Sequence, residues 1–434
     1  MTRSRLVFAA LVIAMTTLAA NARLAAEATV DASWPQFRGP GADNHATGEA
    51  APSKWDQQSA AWSIDLPGEG WSSPIVSGNR VFLTTATPTT DEAIRYEVHC
   101  FDLASGKPRW RRVAALAPPR SPIHRDNSHA TETPATDGER VVAYFGMTGC
   151  YCYSMQGEPL WQKDLGVFPL ANKWGASSSP TIAKGLVYLQ IDNEQLSHVV
   201  ALDMTTGDQR WRADRPEEKT NWCTPVVWRN SQRTELVTGG KTVRSYEATS
   251  GQLLWSMPIG GRSAATASPV GDTLIIGSED RSQRGDTPGG LFAVTAGAAG
   301  ELDVFDPANQ PPSVAWANHQ GAIGISSPLI YEGLIYAPAR GAGIIKVHDS
   351  QTGEVIKQGR IRGAAKFWAS PWTADGKIFM LDEKGVTFVV QPGGKLKVLH
   401  KNTLPGRYWS SPAIAGDRLL IRSQDRLWCL QRGS

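Results

Sequence analysis

One stretch of this chain concentrates side chains that could bind a metal or move protons. His124, Arg125, Asp126, Asn127, Ser128 and His129 are contiguous, and Glu132 follows three positions later. Imidazoles and a carboxylate in a His-x-Asp-x-x-His order suit zinc, copper or iron. The same residues suit a loop that holds its own backbone, because Asn, Ser and Thr bond readily to nearby peptide groups. The spacing fits no fixed ligand pattern, so no metal is assigned. A second set is aromatic and cationic. Trp71, Trp174, Trp222, Trp368 and Trp409 each lie within six residues before a proline, and Arg262, Lys366 and Arg407 accompany them. Such a set could grip a flat or anionic ligand. The indoles could equally be wedges packed between strands.

The prolines that mark these tryptophans recur. Pro74, Pro134, Pro180, Pro225, Pro269, Pro328, Pro371 and Pro412 are spaced by 60, 46, 45, 44, 59, 43 and 41 residues. Each is followed by a β-branched or aromatic run such as VFLTT, LVYLQI or KIFML, and then by a second, such as CYCYSM or HVVALD. Both runs have strand length and propensity and end in turn residues. A glycine turn then precedes a tryptophan by four positions at Gly106/Trp110, Gly157/Trp161, Gly207/Trp211 and Gly251/Trp255. Later units keep the turn at Gly353 and Gly394 but place Lys357 and Val398 where Trp would stand, and a longer insertion precedes Trp316. A unit of roughly 45 residues with four short strands is a propeller blade. The expected fold is all-β: an eight-bladed β-propeller of four-stranded antiparallel blades over residues 60–432.

The last unit has only three strands. The orphan AAWSIDLP, with Trp62, precedes the first proline and is expected to supply the fourth, closing the ring and removing its exposed edges. Trp62, Trp110, Trp161, Trp211, Trp255 and Trp316 are then docking side chains between neighbouring sheets. The loops entering each blade converge on one mouth of the central channel, which gathers the two sets described first.

The segment ALDMTTGDQRW (Ala201 to Trp211) resembles the A-x-D-x-x-T-G-x-x-x-W docking motif of pyrroloquinoline-quinone-like repeat propellers, with degenerate copies ending at Trp110 and Trp255. WPQFRGP (Trp34 to Pro40) and NSHATETP (Asn127 to Pro134) resemble exported bacterial members of that family. The resemblance implies the fold, since a docking Trp joins blades whatever the mouth binds. It implies two functions. One is a non-catalytic binding or scaffolding module for a protein or a cell-surface polymer, similar in architecture to the family's outer-membrane assembly factor, with no cofactor. The other is a dehydrogenase oxidising an alcohol or sugar with pyrroloquinoline quinone and calcium. Family enzymes carry adjacent cysteines that this chain lacks, and its candidate mouth is poor in carboxylates, so the first reading is preferred.

Bulk properties agree. The 434 residues are 41% hydrophobic and 20% charged, with 16 Trp against 11 Phe and 9 Tyr. Arg3 and Arg5 followed by an apolar run to Ala20 read as a signal peptide spanning residues 1–28, so the chain is expected to be exported, periplasmic or secreted. Residues 29–59 form an N-terminal extension. Loss of the signal lowers the formal charge from +3 to about +1, and no basic patch for nucleic acid stands out. No later run is apolar enough to span a membrane, and a monomer is expected. Cys100, Cys150, Cys152, Cys223 and Cys429 contain no C-x-x-C pair and are expected to be buried thiols. Arg284 to Asp286 (RGD) reads as part of an exposed hairpin.

Overall fold

The computed structural model describes residues 33–46, 51–282 and 288–432. The expected signal segment and the Arg284 to Asp286 tripeptide lie outside them. The described chain folds into eight antiparallel sheets with no α-helix, and among these residues no helix is long and apolar enough to cross a membrane. Blade three shows why the sequence does this. Its second strand, Leu186–Ile191, is buried along its whole length, and the third, His198–Asp203, is buried except at its last residue. The fourth, Gln209–Asp214, lies at the rim and is mostly exposed except at Trp211. Inner strands sit between neighbouring sheets and so read as continuous apolar runs, while a rim strand needs only its docking side chain. All five cysteines are free and buried.

Closure is as expected. Ala60–Asp65 pairs antiparallel with Arg426–Gln431, setting Trp62 opposite Cys429 and Ile64 opposite Leu427. Chain start and chain end thus share the eighth blade.

The docking tryptophans work by one geometry. The indole N–H of Trp62 donates to the Leu103 carbonyl of blade one at 3.0 Å, and Trp110, Trp161, Trp211 and Trp316 donate to Met155, Met204, Ala248 and Ser350 in the same way. In each case the ring lies against the glycine of the next blade's turn. Trp255 departs from this pattern. It is fully buried between blades four and five, but its N–H donates to the Glu235 carboxylate of its own blade at 2.8 Å. The next blade offers no matching turn there, because Gly300–Glu301 leaves it to pair in parallel with Leu253–Pro258, giving blade four a fifth strand. Glu235 has no exposure and also accepts from Ser245 and Arg233. Replacing Trp255 with Phe keeps most of the apolar body and removes one donor to a buried carboxylate. The expected loss is about 1–3 kcal/mol in urea unfolding.

Blade five also corrects the proline alignment. In blades one, three, six, seven and eight the first hairpin begins three residues after the proline, as at Ser77, Ala183 and Tyr331. In blade five it begins at Val270, one residue after Pro269. This proline is two positions out of phase, and Ala267 occupies its structural place.

The N-terminal extension had no assigned role. Its described part crosses the base of the ring. Trp34 bridges to Val76 in blade one, the Pro35 carbonyl accepts from Thr136 in blade two, and Asn44 donates to the Pro371 carbonyl in blade seven. Between them Arg38, 1% exposed, donates to Ala267 O, Ser268 Oγ and Pro328 O of blades five and six.

Candidate functional site: a tryptophan-ringed well

Each blade enters the ring through a short inner strand whose side chains alternate between the channel and the blade interior. The residue just before the proline faces the channel, and there a hydroxyl recurs. Ser73 N–H donates to Thr133 Oγ1 (2.9 Å), Thr133 N–H to Ser179 Oγ (3.0 Å), and Ser179 N–H to Thr224 Oγ1 (3.0 Å). On the other side Thr266 donates to Ser327, Ser327 to Ser370, Ser370 to Ser411, and Ser411 back to Ser73. The result is a girdle of hydroxyls joining seven of the eight neighbouring blade pairs around the axis, with a break between Thr224 of blade four and Thr266 of blade five. Blade five contributes Thr266, two residues early, as its shifted phase requires. Sequence reading aligned the prolines and overlooked the Ser or Thr that precedes every one of them.

Above the girdle lies a well of about 200 Å³, floored by Phe37 of the N-terminal extension. Its upper wall brings together Trp71, Asn127, Trp174, Trp222, Arg262, Trp368 and Trp409, which the sequence grouped, and Ile325, which it missed. The indoles are ordered against one another. Trp368 stacks on Trp409 at 4.2 Å, and Trp409 stacks on Trp71 at 5.0 Å. Trp174 meets Trp222 edge-on at 6.4 Å, and Arg262 lies 4.6 Å over the Trp222 ring. Arg407, half-exposed on the rim, sits 5.7 Å over Trp71 and 5.9 Å over Trp409. Loops interlock around this wall, with Trp71 donating to Asp126 O, Asn127 to Trp174 O and Trp222 to Gly175 O.

The polar cluster that began the sequence reading is dispersed. His124 stacks on Trp174 at 4.0 Å, and its Nδ1 accepts from the Asp126 N–H. Arg125 is exposed, and the Asp126 carboxylate pairs with Arg407 at 3.4 Å. Asn127 Oδ1 accepts from Ser128 N–H and Thr131 Oγ1, so this segment is a loop bonded to itself. His129 and Glu132 lie in a separate small recess with Tyr96 and Phe145. The reason is alternation: Thr131 and Thr133 face the well, so Glu132 between them points away. Among the described residues no three His, Cys, Asp or Glu side chains gather as a metal-ligand group.

Glu132 is buried, which pushes its carboxyl up to about 8 from an ordinary 4.5. Burial pushes the His99 imidazole down to about 3 from 6.5, with Arg111 and Arg422 adding to the effect. The signs differ. An unfolded Glu132 ionises above pH 4.5, so its contribution to stability is full below that pH and is lost as pH rises towards 8. An unfolded His99 protonates below pH 6.5, so its contribution is full above that pH and is lost as pH falls towards 3. Glu132→Gln removes only the alkaline loss. The variant is expected to match the parent at pH 5 and exceed it at pH 8, with the gap growing by about 1 kcal/mol per pH unit in denaturant titrations.

The well does not suit a quinone and its calcium. Calcium takes about six to eight oxygens, carboxylates prominent among them. Among the described residues lining this cavity there is no Asp or Glu. Trp71, Trp409 and Trp368 are already face to face, which leaves no planar slot between them.

Comparison with known proteins gives a consistent picture. The family description "Outer membrane protein assembly factor BamB" matches residues 95–275. BamB from Moraxella catarrhalis is similar in structure, with a TM-score of 0.61 at 13% identity, covering 86% of this chain and 97% of that one. A europium-containing methanol dehydrogenase gives 0.64 at 12% identity, covering 92% and 90%. The computationally designed Ika8 protein gives 0.54 at 12% identity, covering 85% and 98%. At such identities the likeness concerns the fold. No curated protein matches the sequence.

Proposed function

Because the chain belongs to the pyrroloquinoline-quinone-like repeat β-propeller family, a fold that serves both assembly and oxidation, we propose that this member binds rather than catalyses. It is an exported, cofactor-free module that holds a protein or cell-surface polymer of the envelope or exterior at its tryptophan-ringed mouth. The observation supporting this is the well itself. Five indoles and an arginine surround a hydroxyl girdle, and among the described lining residues no carboxylate or imidazole stands to move a proton. An envelope location accords with the assembly-factor match. The dehydrogenase alternative has no feature of this well in its favour.

A photo-crosslinking amino acid at Lys366 on the mouth, or at Glu332 in a base hairpin, tests the reading in the source organism. A reproducible adduct from position 366 and not from 332 is expected. Equal labelling from both faces, or dye-linked alcohol oxidation by the protein loaded with quinone and calcium, overturns it.

A further inference from the structure

A second cavity of about 240 Å³ adjoins the well, and the two share Trp174, Arg262, Ile325 and Trp368. This second space is basic. Among the described residues, Arg262, Arg281, Arg340 and Lys366 line it against one carboxylate, Glu279, which pairs with Arg262 at 3.1 Å. Lys366 lies 6.0 Å over the Trp368 ring. Under the well, Arg38 is fully buried with no carboxylate among its hydrogen-bond partners. Burial pulls its guanidinium down to about 10, against the pull of Asp43. Cations at the side and beneath the floor, with no acid among the described residues of the well's wall, make the site complementary to a negative charge.

The rest of the lining says what carries that charge. Apart from Thr266, which faces Cys223, each girdle oxygen accepts a backbone N–H group and none donates to another group of the described chain. Their hydroxyl hydrogens remain for a ligand. Seven of the eight backbone donors at this level are used by the girdle, so an extended peptide would find no continuous edge to pair with. Partly exposed indole faces attract the weakly positive C–H faces of a sugar ring, and a guanidinium pairs bidentately with a carboxylate or sulfate.

We propose that the two cavities together hold an anionic saccharide, a uronate or sulfated unit of a polysaccharide chain. The sugar ring lies in the well against the indoles and girdle, and its acid group or its neighbour's lies among Arg262, Arg340 and Lys366. This rests on the binding-module reading and supplies its partner's chemistry.

The test is calorimetry and indole-fluorescence titration of the mature protein at two salt concentrations. The probes are oligogalacturonate, a sulfated galactan oligosaccharide, neutral cello-oligosaccharide, poly-glutamate and a thymidine oligonucleotide. Saturable, salt-weakened binding of either anionic saccharide, at least tenfold tighter than the other three, is expected. Galacturonate against galactan identifies the acid group. Lys366→Ala together with Arg340→Ala should weaken that binding tenfold or more with unchanged melting, and Trp174→Phe should retain it better than Trp174→Ala. Equal binding of the neutral sugar, preference for poly-glutamate or the oligonucleotide, or no saccharide binding overturns the proposal. If the position-366 crosslink still forms in those cases, the binding-module reading stands without it.

Discussion

Deleting residues 60–65 should yield a species that self-associates more than the parent and unfolds far below the parent temperature. This strand brings little charge to the ring, since its Asp65–Arg426 pair at 2.5 Å is largely exposed, and such pairs contribute roughly 0–1 kcal/mol. Its larger effects are two. Trp62 is the seam between blades eight and one, lying against Gly106 and donating to Leu103 O. Truncating a packed aromatic of this kind costs about 3–5 kcal/mol. The strand also covers Arg426–Gln431, where Leu427, Trp428, Cys429 and Leu430 are essentially unexposed. Uncovered, that strand becomes a long apolar edge ready to pair with another copy. Seam and edge together approach the whole net stability of an ordinary domain, about 5–15 kcal/mol. Light scattering and scanning calorimetry read both effects, and a synthetic peptide of residues 55–67 added in trans should restore the parent's size and melt. A monomer melting within a few degrees of the parent would show that the ring is held by other contacts.

The features legible in the sequence were those the ring needs many times over. Five of the eight seams set an aromatic on a rim strand against a glycine on the facing turn, so Gly207/Trp211 and its copies repeat and can be counted. Every inner strand asks for a side chain facing the mouth three residues before its proline, which placed Trp71, Trp222, Trp368 and Trp409 on one wall before any coordinates. Features used once were not legible. Arg38, Asn44 and Phe37 each serve a different blade or the floor, so no period marks them. Pro269 misled because a two-residue shift keeps the alternation, and with it the strand pattern, intact. The run from His124 to Glu132 was read as one cluster because its residues are adjacent in sequence. A self-bonded turn holds His124 and Asn127 against Trp174, while a strand that alternates faces sends Glu132 into a separate recess. The Ser and Thr of the girdle were in plain view, but a hydroxyl before a proline is also ordinary turn chemistry.

The seam predicts its own non-additivity. Gly251 has φ near +74°, and a Cβ there would sit 2.6 Å from the Trp211 ring, closer than atoms can pack. Gly251→Ala therefore incurs two costs: about 1 kcal/mol of backbone strain at a positive φ, and displacement of a buried indole that donates to Ala248 O. Moving the ring far enough to admit the methyl breaks that bond and opens the seam, so the single variant should lose about 3 kcal/mol or more. Trp211→Ala alone should lose a similar amount through the cavity it leaves between blades three and four. In the double variant the methyl enters space the indole has vacated, and only the strain of the alanine remains to be added. The sum of the singles should thus exceed the double by about 2 kcal/mol or more in a urea-denaturation cycle. Additivity within about 0.5 kcal/mol would mean that Trp211 and the turn at Gly251 do not bear on each other. The same cycle at Trp255 with Gly297 should show no coupling, because that indole is tied to Glu235 on its own blade and touches no glycine turn.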